Sequence, residues 1–195
     1  GGILQTPRER AWCIEPEVAK SWGFTKPRNN VKVEPARWYY WADRLGLLIW
    51  QDMPSPRPPK DSYTDEGKKQ FEQELRALIQ THSNHPSIVM WVVFNEGWGQ
   101  FDTPRLTELV QQLDPTRLVN NASGWTDAKA GHVMDIHNYP EPACPPKEET
   151  RAAVLGEFGG LGLPVTGHMW KSDHWGYKAM ADAEALTRKY EQMLK

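Results

Sequence analysis

Two glutamates sit where the chain could do acid–base chemistry. Glu96 follows the apolar run Ile88–Phe94 and Asn95, and Glu157 lies in Leu155-Gly156-Glu157-Phe158-Gly159-Gly160, just past a second apolar segment. A charged side chain that ends a buried strand must be solvated, paired or functional, because an unpaired buried charge is costly. Two facing carboxyls suit glycoside hydrolysis: a neutral one protonates the departing oxygen, and an ionised one attacks the anomeric carbon or activates water. Their close approach raises the pKa of one and so supplies the acid. For either glutamate alone, a solvated strand end explains the position as well. It is the pair, each in its own local context, that points to chemistry. Retention of configuration predicts carboxyls roughly 5–5.5 Å apart, whereas a gap of about 9 Å indicates inversion or a collapsed site.

Elements that could hold such a pair alternate along the chain. Residues 15–21 read as the last turns of a helix, and Gly23-Phe24-Thr25 as a short strand broken by Pro27. Glu34-Pro35 starts a helix whose apolar stripe is Trp38, Trp41, Ala42 and Leu45, with Gly46 as its stop. Leu47–Trp50 is continuously apolar, as in a strand buried on both faces. Met53 to Lys60 is Pro-rich and reads as a loop. A long amphipathic helix over about 65–83 places Phe71, Leu75, Leu78, Ile79 and His82 on one face, and Asn84-His85-Pro86 breaks it. Ile88–Phe94 is the strongest strand signal. Thr103-Pro104 opens a helix with Leu106, Leu109, Val110 and Leu113 inward, ended by Asp114-Pro115. Leu118–Asn120, Val133–Ile136 and Ala153–Leu155 read as strands, 141–150 as a loop, and about Tyr177 to the end as a helix.

Strand–helix alternation with continuously apolar strands predicts a parallel sheet covered by helices. No Gly-rich phosphate turn of the doubly wound kind follows any strand. Instead Asp52, Asn95-Glu96, Trp125, His137-Asn138-Tyr139 and Glu157-Phe158 fall just after successive strands. Polar groups gathered at the carboxyl ends of many parallel strands are the layout of a (β/α)8 barrel.

Composition narrows the function class. The 195 residues carry a formal charge of −2, with 39% hydrophobic and 25% charged residues. That excludes a disordered polyelectrolyte, and it gives no electrostatic footprint for nucleic acid or an anionic membrane. No apolar run approaches a membrane-spanning length. Two cysteines, Cys13 and Cys144, are too few for a disulfide framework or a zinc cluster. Ten tryptophans are the anomaly. Trp is a large amphipathic stacking surface suited to sugar rings, although core packing is the default reading of any one of them. Trp38, Trp41 and Trp91 read as packing, and Trp98 and Trp125, on loops after strands, as sugar-stacking candidates. His82-x-x-His85 lacks a carboxylate at a useful spacing and reads as structural rather than metal-binding. His168 and His174 read as surface or substrate-rim residues.

The stretch from Lys32-Val33-Glu34-Pro35-Ala36-Arg37-Trp38 through Leu47-Leu48-Ile49-Trp50-Gln51-Asp52-Met53-Pro54 resembles glycoside hydrolase family 2. Asn84-His85-Pro86-Ser87-Ile88 leading to Phe94-Asn95-Glu96 is similar to that family's acid/base signature, and Gly156-Glu157-Phe158-Gly159 to its nucleophile segment. The resemblance runs from about Val18 onward. It implies a retaining β-glycosidase, β-galactosidase-like within a family that also holds β-glucuronidases and β-mannosidases, using Glu96 as acid/base and Glu157 as nucleophile. It further implies that Asn95 bonds the sugar 2-hydroxyl and that Tyr139 bonds the nucleophile. His137, Asp52, Trp98, Trp125 and Arg28 fall where family members bind sugar. The two-carboxylate chemistry requires no cofactor, and no residue is assigned as a metal ligand; the partner is a carbohydrate substrate.

By the same resemblance the chain is one partial (β/α)8 TIM-barrel catalytic domain over residues 1–195, with about strands 2 to 7 and without the first and eighth. The parent would carry jelly-roll and immunoglobulin-like domains before it. An opened barrel exposes two strand edges, so the missing parts of the parent chain are expected partners of this piece. Where the family shows Arg-x-His, the chain has Arg28-Asn29-Asn30, and Gln5 to Trp12 matches nothing in the pattern. Two alternatives stay open: another barrel glycosidase of the same clan, against which the Glu34–Pro54 stretch argues, and a non-catalytic carbohydrate-binding remnant.

Overall fold

The computed structural model describes residues 9–55, 63–169, 171 and 175–195, with side chains from Cys13 onward. Residues 5–8 of the unmatched segment, 56–60 of the Pro-rich loop and His174 lie outside the described residues. The chain divides into two compact units, 1–133 and 134–195.

The first unit carries α1 (Glu9–Ser21), β1 (Arg28–Asn29), α2 (Ala36–Leu45), β2 (Ile49–Asp52), α3 (Asp65–His82), β3 (Ile88–Asn95), α4 (Thr103–Leu113) and β4 (Leu118–Ser123). Its four strands form one sheet in the order β1-β2-β3-β4, every neighbour parallel. A helix intervenes between each pair, which is the strand–helix repeat of a (β/α)8 barrel.

Local chemistry sets these elements. In α2, Gly46 adopts the left-handed conformation (φ 68°) and its N–H closes on the carbonyls of Ala42 and Asp43, the αL stop that glycine favours. In α3, the Thr64 hydroxyl accepts from the Gly67 N–H, and Asp65 and Glu66 complement the amino-terminal dipole. Phe71, Leu75, Leu78 and Ile79 are its buried face, spaced for one side of a helix. The central strand β3 is buried at every position except Val89, because β2 and β4 flank it and helices cover it. Trp38, Tyr39, Leu47, Ile49, Phe71, Ile79, Trp91, Val93, Phe94, Leu106 and Val110 belong to one hydrophobic cluster.

Three expectations for the first unit need correction. Gly23–Thr25 is not a strand. The Thr25 and Pro27 carbonyls accept from the N–H groups of Leu48 and Trp50, but Pro27 has no N–H, and the ladder begins at Arg28. Leu47–Trp50 is not buried throughout: Leu48 is 38% exposed, since it precedes β2. In α2, Tyr39 rather than Trp41 or Leu45 joins Trp38 and Ala42 on the buried face.

β5 (Val133–Asn138) begins on the last residue of the first unit and leads into the second, which carries β6 (Ala152–Phe158), β7 (Leu161–Gly162), β8 (Lys178–Ala179) and α5 (Ala183–Leu194). β5 pairs with β6, and β7 with β8. The last helix therefore starts at Ala183 and not near Tyr177. The N–H groups of Tyr177 and Met180 are committed to the carbonyls of Gly160 and Gly162, and Asp182 caps the helix by accepting from the Ala185 N–H at 2.7 Å.

Candidate active site

Parallel pairing brings the last residues of β2, β3 and β4 (Asp52, Asn95 and Ser123) to one end of the first unit's sheet. Arg28 opens β1 beside them and reaches across. Its Nε donates to Asp52 Oδ1 at 3.0 Å and its Nη2 to Asp52 Oδ2 at 2.7 Å, a two-pronged pair. The same Nη2 donates to Asn95 Oδ1 at 2.8 Å. Asp52 also accepts from the Val31 N–H at 3.0 Å, where Val31 holds a left-handed φ of 51°. Asp52 is 1% and Asn95 3% exposed. A carboxylate buried so fully persists only with such a partner.

Glu96 comes directly after Asn95. Its φ of 55° is unusual for a residue with a side chain and costs of order 1–3 kcal/mol. The turn is held by its N–H donating to the Ser123 carbonyl at 2.7 Å and by Gln100 Nε2 donating to its carbonyl at 2.5 Å. Gly97 lies close against Thr126: a Cβ there would stand 3.0 Å from Thr126 Oγ1, so that side chain would have to give way. Glu96 is buried. Trp98 is half-buried in the turn that follows, and Trp125 is 58% exposed beyond β4.

In the second unit, β5 and β6 supply His137 and Glu157, and Tyr139 follows β5. The Tyr139 hydroxyl donates to Glu157 Oε2, and His137 Nε2 lies 3.5 Å from Glu157 Oε1. The His137 side chain is fully buried, while that of Glu157 keeps 24% exposure. Both carboxylate oxygens thus have neighbours that fix the group, and one side remains open to solvent. Gly156 makes room for this: a Cβ there would fall 2.4 Å from Asp135 Oδ1 on the paired strand.

The sequence-predicted residues thus fall into two groups, one carried by each unit. Arg28, Asp52 and Asn95 bond to one another and Glu96 adjoins them, with Trp98 and Trp125 on the neighbouring loops. His137, Tyr139 and Glu157 form the other group. Several participants escape sequence reading. Ser55, fully buried, accepts from the Asn95 N–H at 3.4 Å. Beneath Arg28, Asn29 donates to Gln51 Oε1 at 2.9 Å, and Tyr39 donates to the same oxygen. Burial pushes the Tyr39 hydroxyl up to about 12, so it stays protonated and remains a donor. The available signal was Gln51 itself, a polar residue inside an otherwise apolar strand.

The structural readings of other residues find packing partners. His85 Nδ1 lies 2.8 Å from Asp43 Oδ2 and His82 Nδ1 3.0 Å from the Leu78 carbonyl, and both rings contact Tyr39. Trp91 is buried, with Nε1 donating to Asp114 at 2.9 Å. Neither Cys13 nor Cys144 is in a disulfide. Among the described residues, no helix is long and apolar enough to cross a membrane.

The family model of the glycosyl hydrolases family 2 TIM barrel domain matches residues 28–140. The chain belongs to glycosyl hydrolase family 2. Its α/β architecture is accordingly an incomplete TIM barrel, and β1 to β4 are consecutive units of it. Among curated relatives, a beta-glucuronidase of Bacteroides fragilis is 35% identical over 97 residues, covering 44% of this chain and 14% of the relative. A beta-galactosidase of Thermoanaerobacterium thermosulfurigenes is 38% identical over 80 residues, covering 39% and 10%. Among solved structures, the apo beta-glucuronidase 3 of Bacteroides uniformis superposes with a TM-score of 0.51 at 27% identity, over 57% of this chain and 16% of that one. The chain thus spans a small part of the length of these family 2 relatives.

Proposed function

We propose that the protein is a retaining β-glycosidase working by double displacement. Glu157 attacks the anomeric carbon while Glu96 delivers its proton to the glycosidic oxygen, and the C–O bond to the leaving group breaks. Glu96, now ionised, takes a proton from water as the water oxygen attacks the same carbon, and the Glu157 carboxylate departs. Asn95, its carboxamide oxygen engaged by Arg28, keeps its N–H groups for the sugar 2-hydroxyl. The observation that carries the reading is the setting of Glu157, with a tyrosine hydroxyl on one carboxylate oxygen and a buried histidine beside the other. A solvated strand end needs neither.

For the sugar, a β-glucuronide or a β-galactoside has equal support, because relatives of both names match; the galactoside carries no precedence. Hydrolysis of p-nitrophenyl β-D-glucuronide, β-D-galactoside and β-D-mannoside tests this. Release of nitrophenol from one of the first two is expected. No release from any of the three by a folded protein favours the carbohydrate-binding alternative.

A further inference from the structure

Beyond Glu157 the second unit carries two aromatic rings, Trp175 and Tyr177, that neither the sequence motifs nor the two-carboxylate chemistry uses. The Tyr177 ring stacks on Tyr139 with centroids 3.9 Å apart and planes 9° from parallel. Trp175 meets Tyr177 edge-on at 4.9 Å. The outer rings stay open, Tyr177 at 44% and Trp175 at 75% exposure. Two adjacent exposed rings form a flat, partly apolar surface of the kind that suits a stacked ligand.

The stack is built rather than incidental. The Tyr177 N–H donates to the Gly160 carbonyl at 2.8 Å, beside the β7–β8 pairing of Leu161 with Lys178. Gly160 has φ 63°, and a Cβ there would collide with Tyr177 Cδ2 at 2.5 Å. A Cβ on Gly176 would stand 2.7 Å from the Gly162 nitrogen. Two glycines therefore give up their side chains so that the rings can approach the segment just after Glu157.

We propose that Trp175 and Tyr177 form a stacking platform for the pyranose ring of the substrate that becomes bonded to Glu157. The proposal rests on the glycosidase reading above. The occupant follows from continuity and from the displacement geometry. The platform begins at Tyr139, the residue whose hydroxyl holds Glu157. In an in-line displacement the leaving group departs from the face opposite the attacking carboxylate. A surface continuous with the carboxylate's own partner thus serves the retained sugar and not the leaving group. The C–H face of a pyranose is flat and apolar enough to lie on such rings, while its hydroxyls stay wet at the rim.

Saturation-transfer NMR on the protein, with free D-glucuronate, D-galactose and D-mannose as probes, tests the platform without any leaving group present. Saturation of the ring C–H protons of at least one sugar is expected. Trp175→Ala should weaken that sugar by about five- to tenfold, the scale of one aromatic contact, and Trp175→Phe should keep most of the affinity. Transfer to none of the three, or equal affinity in wild type and Trp175→Ala, overturns the platform. Nitrophenyl glycoside hydrolysis in parallel keeps the two readings apart. Turnover with an unchanged KM in Trp175→Ala overturns the platform and leaves the glycosidase standing. Sugar binding that depends on Trp175, without turnover by the wild type, overturns the glycosidase and leaves a sugar-binding platform.

Discussion

The sheet of the first unit has an arginine–carboxylate pair at each end, and the two use the same chemistry differently. At the amino-terminal end Arg117 donates to Asp114 Oδ2 at 2.7 Å and also to three main-chain carbonyls, those of Ile88, Ser83 and His85. Asp114 in turn accepts from Trp91 and from the Thr116 hydroxyl and N–H. This knot ties the end of α3, the start of β3 and the end of α4. At the carboxyl-terminal end, Arg28 reaches two side chains of the candidate site, Asp52 and Asn95. An arginine bonded to main chain holds the fold, whereas one bonded to side chains orients them. That division matches the barrel rule that one face carries stability and the other chemistry.

The largest expected effect falls at the amino-terminal end. Arg117→Ala leaves the buried Asp114 carboxylate without its cation, with only the Trp91 and Thr116 hydrogen bonds remaining, and should cost about 3–5 kcal/mol in a chemical denaturation series. Turnover per folded molecule should not change; a proportionate loss of turnover breaks the proposed division. Next comes Arg28→Lys. Lysine cannot reproduce the planar fork, so the Asn95 carboxamide loses its fixed orientation. A misplacement on the ångström scale is expected to lower kcat/KM about 10²-fold, measured on whichever nitrophenyl glycoside the protein hydrolyses. An unchanged rate with lowered stability would make Arg28 a second structural arginine.

The smallest effect concerns pH. Burial opposes ionisation of Asp114, but hydrogen bonds from Thr116, Trp91 and Arg117 outweigh it and hold its carboxyl down at about 2. A carboxyl depressed on folding stabilises the folded state above its unfolded pKa of about 4, and that contribution disappears as the pH falls through about 2. The knot should therefore lose about 2 kcal/mol between pH 4 and pH 2, seen as acid sensitivity in circular dichroism melts. The same acid-dependent fall in Asp114→Asn would assign it to other carboxyls.

Much of this was legible from residue patterns. The helix stripe Phe71, Leu75, Leu78 and Ile79, the stop at Gly46 and the central strand before Glu96 all follow from local spacing and capping, which act over a few residues. What stayed hidden depends on long-range partners. Leu48 reads as buried until the ladder starts at Ile49, and Gly23–Thr25 reads as a strand until Pro27 is seen to delay the pairing. The stretch after Tyr177 has helical composition, but its N–H groups are already committed to Gly160 and Gly162. At the candidate site, Arg28, Asp52 and Asn95 could each be placed at strand ends. Their mutual bonds join positions 24 and 67 residues apart and emerge only from the sheet register. Gly156 and Gly160 carried a usable signal, since glycine inside or beside a strand marks a close approach.

In the proposed double displacement Glu157 becomes covalently bonded to the sugar. Incubation with 2-deoxy-2-fluoro-β-D-glucuronyl fluoride or its galactosyl counterpart, followed by peptide mass mapping, tests it directly. One glycosyl unit is expected on the peptide containing Glu157, and none in Glu157→Gln. A stable label on another carboxylate, or hydrolysis of nitrophenyl glycosides that neither reagent slows, would contradict it.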